Sequence, residues 1–156
     1  IDRVIYVNAH GGNAEHLREV GRRLRDDGEM YAIEWMWDES IPELVEEAFE
    51  HNGPHGGPKE TALIQHLRPE LVHDDRLAEA RDGGLTSFDA DTGRKHGART
   101  FYDAIDNSDN GVFGDQTDAT PAIGEELFEA AAEQLVELCE WLAVQEFETL
   151  MPNDHV

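Results

Sequence analysis

Apolar residues arrive in this chain first as a run and then at helical spacing. Val4-Ile5-Tyr6-Val7 reads as a short buried strand. Asn8-Ala9-His10-Gly11-Gly12-Asn13 follows, and a helical pattern then spans 14–27. Leu17, Val20 and Leu24 form its inward stripe, with Arg18, Arg22, Arg23 and Arg25 mostly outside it, and Gly28 ends it. Residues 30–37 (Met-Tyr-Ala-Ile-Glu-Trp-Met-Trp) are aromatic and β-branched enough for a second strand. Strand, helix and strand at this spacing predict a βαβ unit with parallel pairing.

Ser40-Ile41-Pro42-Glu43 has the form of a capping box. It predicts a helix to about Glu50 that buries Leu44, Val45, Ala48 and Phe49. The span 51–61, with three glycines and two prolines, reads as a loop, and Leu63, Ile64 and Leu67 announce a further helix stopped near Pro69. From 72 to 97 the chain turns polar, a long excursion with little core that suits an oligomer contact or a lid. Residues 98–105 return as a strand and 110–117 as a tight turn region. Thr120-Pro121 supplies an N-cap and a first-turn proline for a last helix running to about Thr149. Ile123, Leu127, Ala131, Leu135, Leu138 and Leu142 line one side of it, and the tail 152–156 is expected to fray. With no repeat and no dividing linker, residues 1–156 read as a single domain.

Charge narrows the functional classes. Against 35 acidic residues stand 12 basic ones, for a formal net charge of −23 spread along the whole chain. Such a surface repels nucleic acid and anionic membranes, because binding them needs Lys and Arg to displace counterions. It fits a halophilic protein in a salty cytoplasm, where screening makes the charge tolerable. The single cysteine, Cys139, excludes an internal disulfide and a cysteine metal cluster, and its helical setting reads as packing. No apolar run is long enough to span a membrane and no signal segment is seen, so a soluble, cytoplasmic protein is expected. The chain opens at Ile1 without Met, already close to a strand, and this predicts that something lies upstream.

Two constellations carry candidate chemistry. A strand feeding a glycine turn that opens a helix presents polar side chains at the carboxyl edge of a parallel sheet, where α/β sites lie. His10 is so placed, with Asn13 as the expected N-cap behind it. A metal, a substrate oxyanion or a phosphate is a candidate occupant, and a histidine that merely hydrogen-bonds its loop is the plainer alternative. Trp35 and Trp37 fall on the same edge, as core or as the wall of a pocket. The second constellation is His55 and Glu60, five apart across a loop-to-helix junction and placed to converge. His73 and His96 read as solvated.

Three separated motifs share one resemblance. Asn8-Ala9-His10-Gly11-Gly12-Asn13 resembles the Asn-Gly-His-Gly-Gly-Asn motif of the creatininase (creatinine amidohydrolase) family. Residues 55–62 (His-Gly-Gly-Pro-Lys-Glu-Thr-Ala) resemble its His-Ala-Gly-Glu-x-Glu-Thr-Ser motif. Residues 111–120 (Gly-Val-Phe-Gly-Asp-Gln-Thr-Asp-Ala-Thr), followed by Gly124-Glu125, resemble its Gly-x-x-Gly-Asp-Pro-Thr-x-Ala-Thr segment. The resemblance implies a three-layer α/β/α fold with a mainly parallel sheet, of which this chain would be the carboxyl-terminal part. It implies one or two divalent metal ions (zinc, iron or manganese), hydrolysis of a cyclic amide or formamide, and a homo-oligomer. It further implies His10 and Glu60 as metal ligands, with Glu60 also catalytic beside His55, the histidine that positions or protonates substrate. Asn8, Gly11, Gly12, Asn13 and Trp37 would line the substrate. The family's upstream Glu-x-His and Asp have no counterpart here, and Gly12 stands where creatininase proper has a glutamate. In motif style the formamide hydrolases acting on a ribosylaminopyrimidine phosphate look nearest, and a non-catalytic scaffold of the same fold is the alternative.

Overall fold

The computed structural model describes residues 1–50, 52–53, 55–81, 94–95, 98–99 and 108–152. Two compact units divide the chain, one of residues 1–42 with 129–156, the other of residues 43–128.

In the first unit, β1 (Arg3–Asn8), α1 (Gly11–Asp26) and β2 (Tyr31–Met36) form the expected βαβ unit. The strands pair in parallel, Arg3 opposite Tyr31 through Asn8 opposite Met36. Both strands therefore end on the same edge, with His10 just beyond β1 and Trp37 just beyond β2. Helix α1 starts three residues earlier than the apolar spacing indicates, because its first turn is held by polar capping. It ends as expected, with Gly28 at φ 73°, a conformation that costs glycine nothing.

The buried face of α1 differs from the expected stripe. Ala14 and Gly21 are buried, Leu17 and Leu24 are half-buried, and Val20 is 45% exposed. A Cβ on Gly21 would lie 2.4 Å from the Ala32 carbonyl oxygen, so helix and strand meet backbone to side-chain-free backbone. At that distance small residues hold the contact line, the leucines flank it, and Val20 falls at the stripe's edge. Arginine side chains tie the carboxyl-terminal segment to this unit. Arg3 Nη2 donates to the Gln145 carbonyl (2.8 Å) with its guanidinium 5.9 Å from the Phe147 ring centroid, and Arg25 Nε donates to the Leu150 carbonyl (2.7 Å).

The second unit holds α2 (Pro42–Ala48, its first residue assigned to the first unit), α3 (Pro58–Leu67) and α4 (Leu77–Arg81). Strands β3 (Arg94–Lys95) and β4 (Ala98–Arg99) pair antiparallel. Residues 100–105 of the expected third strand, with His96, lie outside the described residues, as do 153–156 of the expected frayed tail. The expected capping box at Ser40 is not formed as such. Ser40 belongs to a 3-10 turn, 38–40, and its hydroxyl donates backward to the Trp37 carbonyl (2.6 Å). Val45 is buried in the helix that follows, and Phe49, just past its end, is buried too.

Helix α5 (Pro121–Ala143) begins as expected, Ile123 N donating to Thr120 Oγ1 at 3.2 Å. Leu127, Ala131 and Leu142 on its predicted face are buried. It stops at Ala143 rather than near Thr149, and a separate turn, α6 (Phe147–Leu150), follows. The Gln145 carbonyl is bonded by Arg3 instead of by a helical N–H. Cys139 is exposed, not packed as its apolar neighbours indicate. Among the described residues no helix is long and apolar enough to cross a membrane.

Candidate functional site

At the carboxyl end of β1 a buried polar network fixes the turn that carries His10. Asn8 is 3% exposed. Its Oδ1 accepts from the His10 backbone N–H (3.1 Å) and from Asn13 Nδ2 (3.4 Å). Its Nδ2 donates to Glu34 Oε1 (3.0 Å), and Glu34 Oε2 accepts from Arg18 Nε (3.1 Å). The Glu34 side chain is only 3% exposed. A buried carboxylate is costly unless paired and hydrogen-bonded, and Glu34 is both. The chain Arg18–Glu34–Asn8–His10 thus ties helix, second strand and turn together.

His10, not Asn13, is the N-cap of α1. Its backbone is extended (φ −144°, ψ 121°) and Nδ1 accepts from the Gly12 N–H at 2.9 Å. An imidazole nitrogen replaces the usual Ser or Asp oxygen as the cap, so Asn13 falls inside the first turn. A Cβ on Gly12 would sit 2.9 Å from His10 Cε1 and Nδ1, whereas one on Gly11 would meet nothing within 4 Å. Gly12 is therefore the glycine that the ring's position requires. His10, Gly11, Gly12 and Asn13 are exposed, and Trp37 is buried at 8%, which agrees with the packing alternative for its indole.

Imidazole nitrogen and carboxylate oxygen suit a borderline divalent ion, so the donor types at hand fit such a metal. With Nδ1 accepting the Gly12 N–H, the neutral ring carries its proton on Nε2. Ligation through Nδ1 would replace the cap bond, and ligation through Nε2 would move the proton to Nδ1 and break that bond too. Metal binding at His10 would thereby be coupled to the first turn of α1. Among the described residues no three of His, Cys, Asp and Glu are gathered as a metal-holding group.

The second constellation belongs to the other unit. Helix α3 starts at Pro58, earlier than its apolar residues indicate, which puts Glu60 in its first turn. Glu60 Oε2 accepts from the Gly57 N–H at 3.1 Å, satisfying one orphan donor of the helix start. His55 is exposed, and its carbonyl accepts from Phe113 N at 2.8 Å. Gly53 lies against the same strand of chain, since a Cβ there would be 2.2 Å from the Phe113 carbonyl carbon. Gly56 takes φ 59°. The glycines flanking His55 are thus accounted for by close backbone packing on the 111–116 turn, where Gly111 and Gly114 also take positive φ. Gln116, 2% exposed, bridges the two turns by donating from Nε2 to Gly56 O (3.0 Å) and Phe113 O (2.9 Å). The motifs at 55–62 and 111–120 form one packed assembly. His73 is exposed, as expected.

Sequence reasoning missed Glu34 and Gln116. A signal for the first existed: Glu34 is the only charge in the strand Tyr31–Met36. Gln116 gave none, since a polar residue in a turn is ordinarily solvated.

The family profile described as creatinine amidohydrolase matches residues 1–139. The chain belongs to the creatininase family. Among similar proteins is the mycofactocin precursor peptide peptidase of Mycobacterium ulcerans (strain Agy99), 32% identical over 127 residues, covering 81% of this chain and 44% of that protein. The mycofactocin precursor peptide peptidase of Mycolicibacterium smegmatis is 31% identical over 126 residues, with the same coverage of 81% and 44%. The chain spans about half the length of the curated relatives it matches. A solved structure from Bacteroides fragilis NCTC 9343, provisionally named a creatinine amidohydrolase, superposes with a TM-score of 0.68. It is 23% identical and matched over 100% of this chain and 56% of its own. That likeness carries the α/β creatininase-like fold that the motifs imply.

Proposed function

We propose that the protein carrying this chain is a metal-dependent amidohydrolase that cleaves a C–N bond of a small amide, with cyclic amides and formamides as candidate substrates. A ribosylaminopyrimidine-phosphate deformylase is the finer form of that reading. The observation that carries it is the buried Asn8–Glu34 network, which spends two polar side chains on fixing an exposed histidine at a strand's carboxyl edge. In this reading His10 and Glu60 would each ligate divalent metal (zinc, iron or manganese, one ion or two), as the family's motifs imply. When bound, such an ion supplies a water acidic enough to be hydroxide near neutral pH and polarises the amide carbonyl.

His55 hands a proton to the departing nitrogen, an imidazole being suited to that step near neutral pH. Asn8 orients the turn, while Gly11, Gly12 and Asn13 offer the helix start to substrate oxygen, with Trp37 packed behind them. The protein is further proposed to be cytoplasmic, salt-adapted and homo-oligomeric, and to bind neither nucleic acid nor membrane. A second reading, hydrolysis of a peptide bond, draws on the names of the mycobacterial relatives.

The test is metal analysis of the full-length protein, with and without His10→Ala, followed by turnover of formamides, cyclic amides and short peptides in molar potassium chloride. Metal retained by wild type and lost with His10→Ala, together with amide turnover, is the expected result. Wild type that binds no divalent ion after reconstitution overturns the proposal in favour of a non-catalytic scaffold. Turnover of peptides alone selects the second reading.

A further inference from the structure

Strand β1, in the first unit, is made for an environment that it does not have. Val4-Ile5-Tyr6-Val7 is a continuous apolar run, the composition of a strand buried on both faces inside a parallel sheet. Yet among the described residues β1 pairs with β2 alone, and Val7 is 63% exposed. Tyr31 N donates to the Asp2 carbonyl at 2.8 Å, which fixes the side to which each residue of β1 turns its backbone. In a parallel pair alternate residues send N–H and C=O to the same side, so Val4 and Tyr6 bond β2 while Ile5 and Val7 face away from it. Past Arg3 this outer edge carries no lysine, proline or other charge, the usual devices that stop an open edge from pairing.

A cavity of about 380 Å³ lies beside that edge, lined by Arg3 and Ile5 of β1 with Cys139, Leu142 and Ala143 of α5. Tyr31 and Ile33, which sit opposite Arg3 and Ile5 in the register, do not line it. The cavity therefore opens beyond the outer edge of β1 rather than over β2. Cys139 and Ala143 are exposed at its rim, so it is reached from solvent. A strand laid along the outer edge would bring alternate side chains under α5 and into this space, where Ile5, Leu142 and Ala143 suit apolar groups. More than half of each mycobacterial relative lies outside the stretch that this chain matches, length enough for further strands.

We infer that β1 is an interior strand of a wider sheet. Its outer edge pairs with a strand that the same polypeptide supplies from outside residues 1–156, and apolar side chains of that strand fill the cavity under α5. The inference goes beyond the amidohydrolase proposal and does not rest on it.

The test is amide hydrogen exchange of the full-length protein, read residue by residue by NMR, with Val4 and Tyr6 as the internal reference. Ile5 and Val7 are expected to exchange within about tenfold of them, whereas amides on an open edge exchange faster by orders of magnitude. Ala143→Trp fills the cavity without touching a backbone bond of the sheet. It is expected to speed exchange at Ile5 and Val7 by about tenfold or more and to leave Val4 and Tyr6 unchanged. Val7→p-benzoylphenylalanine, irradiated and analysed by mass spectrometry, identifies the occupant, and an intramolecular adduct outside residues 1–156 is expected. Fast exchange at Ile5 and Val7 in the wild type, or protection unmoved by Ala143→Trp, would overturn the inference. So would an adduct found only within residues 1–156 or between two copies, or none at all. The wild-type exchange and the adduct decide the matter even if Ala143→Trp does not fold. No readout involves turnover, so an inactive protein that passes removes only the amidohydrolase proposal, and an active one that fails removes only the added strand.

Discussion

Gly124→Ala sets two effects of known size against each other. In an ordinary helix interior, alanine is better than glycine by about 0.8–1.0 kcal/mol, so helix propensity alone favours the change. Gly124 is the second glycine, with Gly21, at which two elements meet backbone to backbone. A Cβ there would lie 2.0 Å from the Ala62 carbonyl oxygen, 2.5 Å from its carbonyl carbon and 3.0 Å from His66 Cβ. Real Cβ atoms keep at least 3.0 Å from such atoms, so α3 and α5 must separate locally by about an ångström. The obstructing atoms are backbone, which has no rotamer to move into. Ala62 is fully buried, so the separation also opens space beside it.

Overpacking of this kind costs roughly 1–3 kcal/mol or more, which exceeds the propensity gain. The expected net loss is up to about 2 kcal/mol, read as a lower urea midpoint at unchanged slope. Helix α3 carries Glu60, so a fall in turnover or metal content should accompany it. Equal or greater stability for Gly124→Ala would refute the reasoning, because it would mean that α3 and α5 do not approach at this point.

Gly12→Ala should leave the unfolding midpoint within roughly 1 kcal/mol of wild type, since the imidazole that its Cβ meets is flexible. It should nevertheless abolish metal-dependent turnover, and retention of full turnover would show that the ring's capped position is immaterial. Glu34→Ala should destabilise by roughly 1–3 kcal/mol by leaving Asn8 Nδ2 buried and unpaired, while Glu34→Gln, which can still accept that bond, should cost less; equal losses in calorimetry would contradict the network. Hydrogen bonds from Arg22 and Arg23 hold the Glu19 carboxyl down at about 2. Its contribution to α1 is therefore present above the unfolded carboxylate's ordinary value and lost as pH falls through about 2, which a carboxyl-carbon NMR titration would check. Melting temperature should climb as potassium chloride is raised from dilute to molar, because −23 of net charge repels itself least when screened; a salt-independent melt would argue against salt adaptation.

Where side-chain patterning decides, the sequence was legible. The βαβ unit followed from an apolar run, a helical stripe and a second apolar run, and the paired register bears it out. The Thr120–Pro121 helix start followed from capping chemistry. The creatininase family followed from three motifs in order, and the family match over 1–139 agrees. The misplaced boundaries share one cause. Helices α1 and α3 begin in polar, glycine-containing turns, where hydrogen bonds from His10 and Glu60 extend the helix ahead of its first apolar residue. The carboxyl end of the last helix yielded to Arg3, 142 residues away in sequence.

What the sequence determined alone was what is local: which segments pair as strands, which turn as helices, and which three stretches resemble the family's motifs. Tertiary structure decided how those residues are used, because use depends on partners brought in from elsewhere in the chain. His10 became a cap because Gly12 has no side chain to displace its ring, and Glu34 became a buried anchor because β2 lies beside β1. Gln116 was left with an unpaired oxygen because both its amide hydrogens are drawn to carbonyls on packed turns. A hydrogen bond between distant residues leaves no periodicity in the sequence, and only folding brings its two ends together.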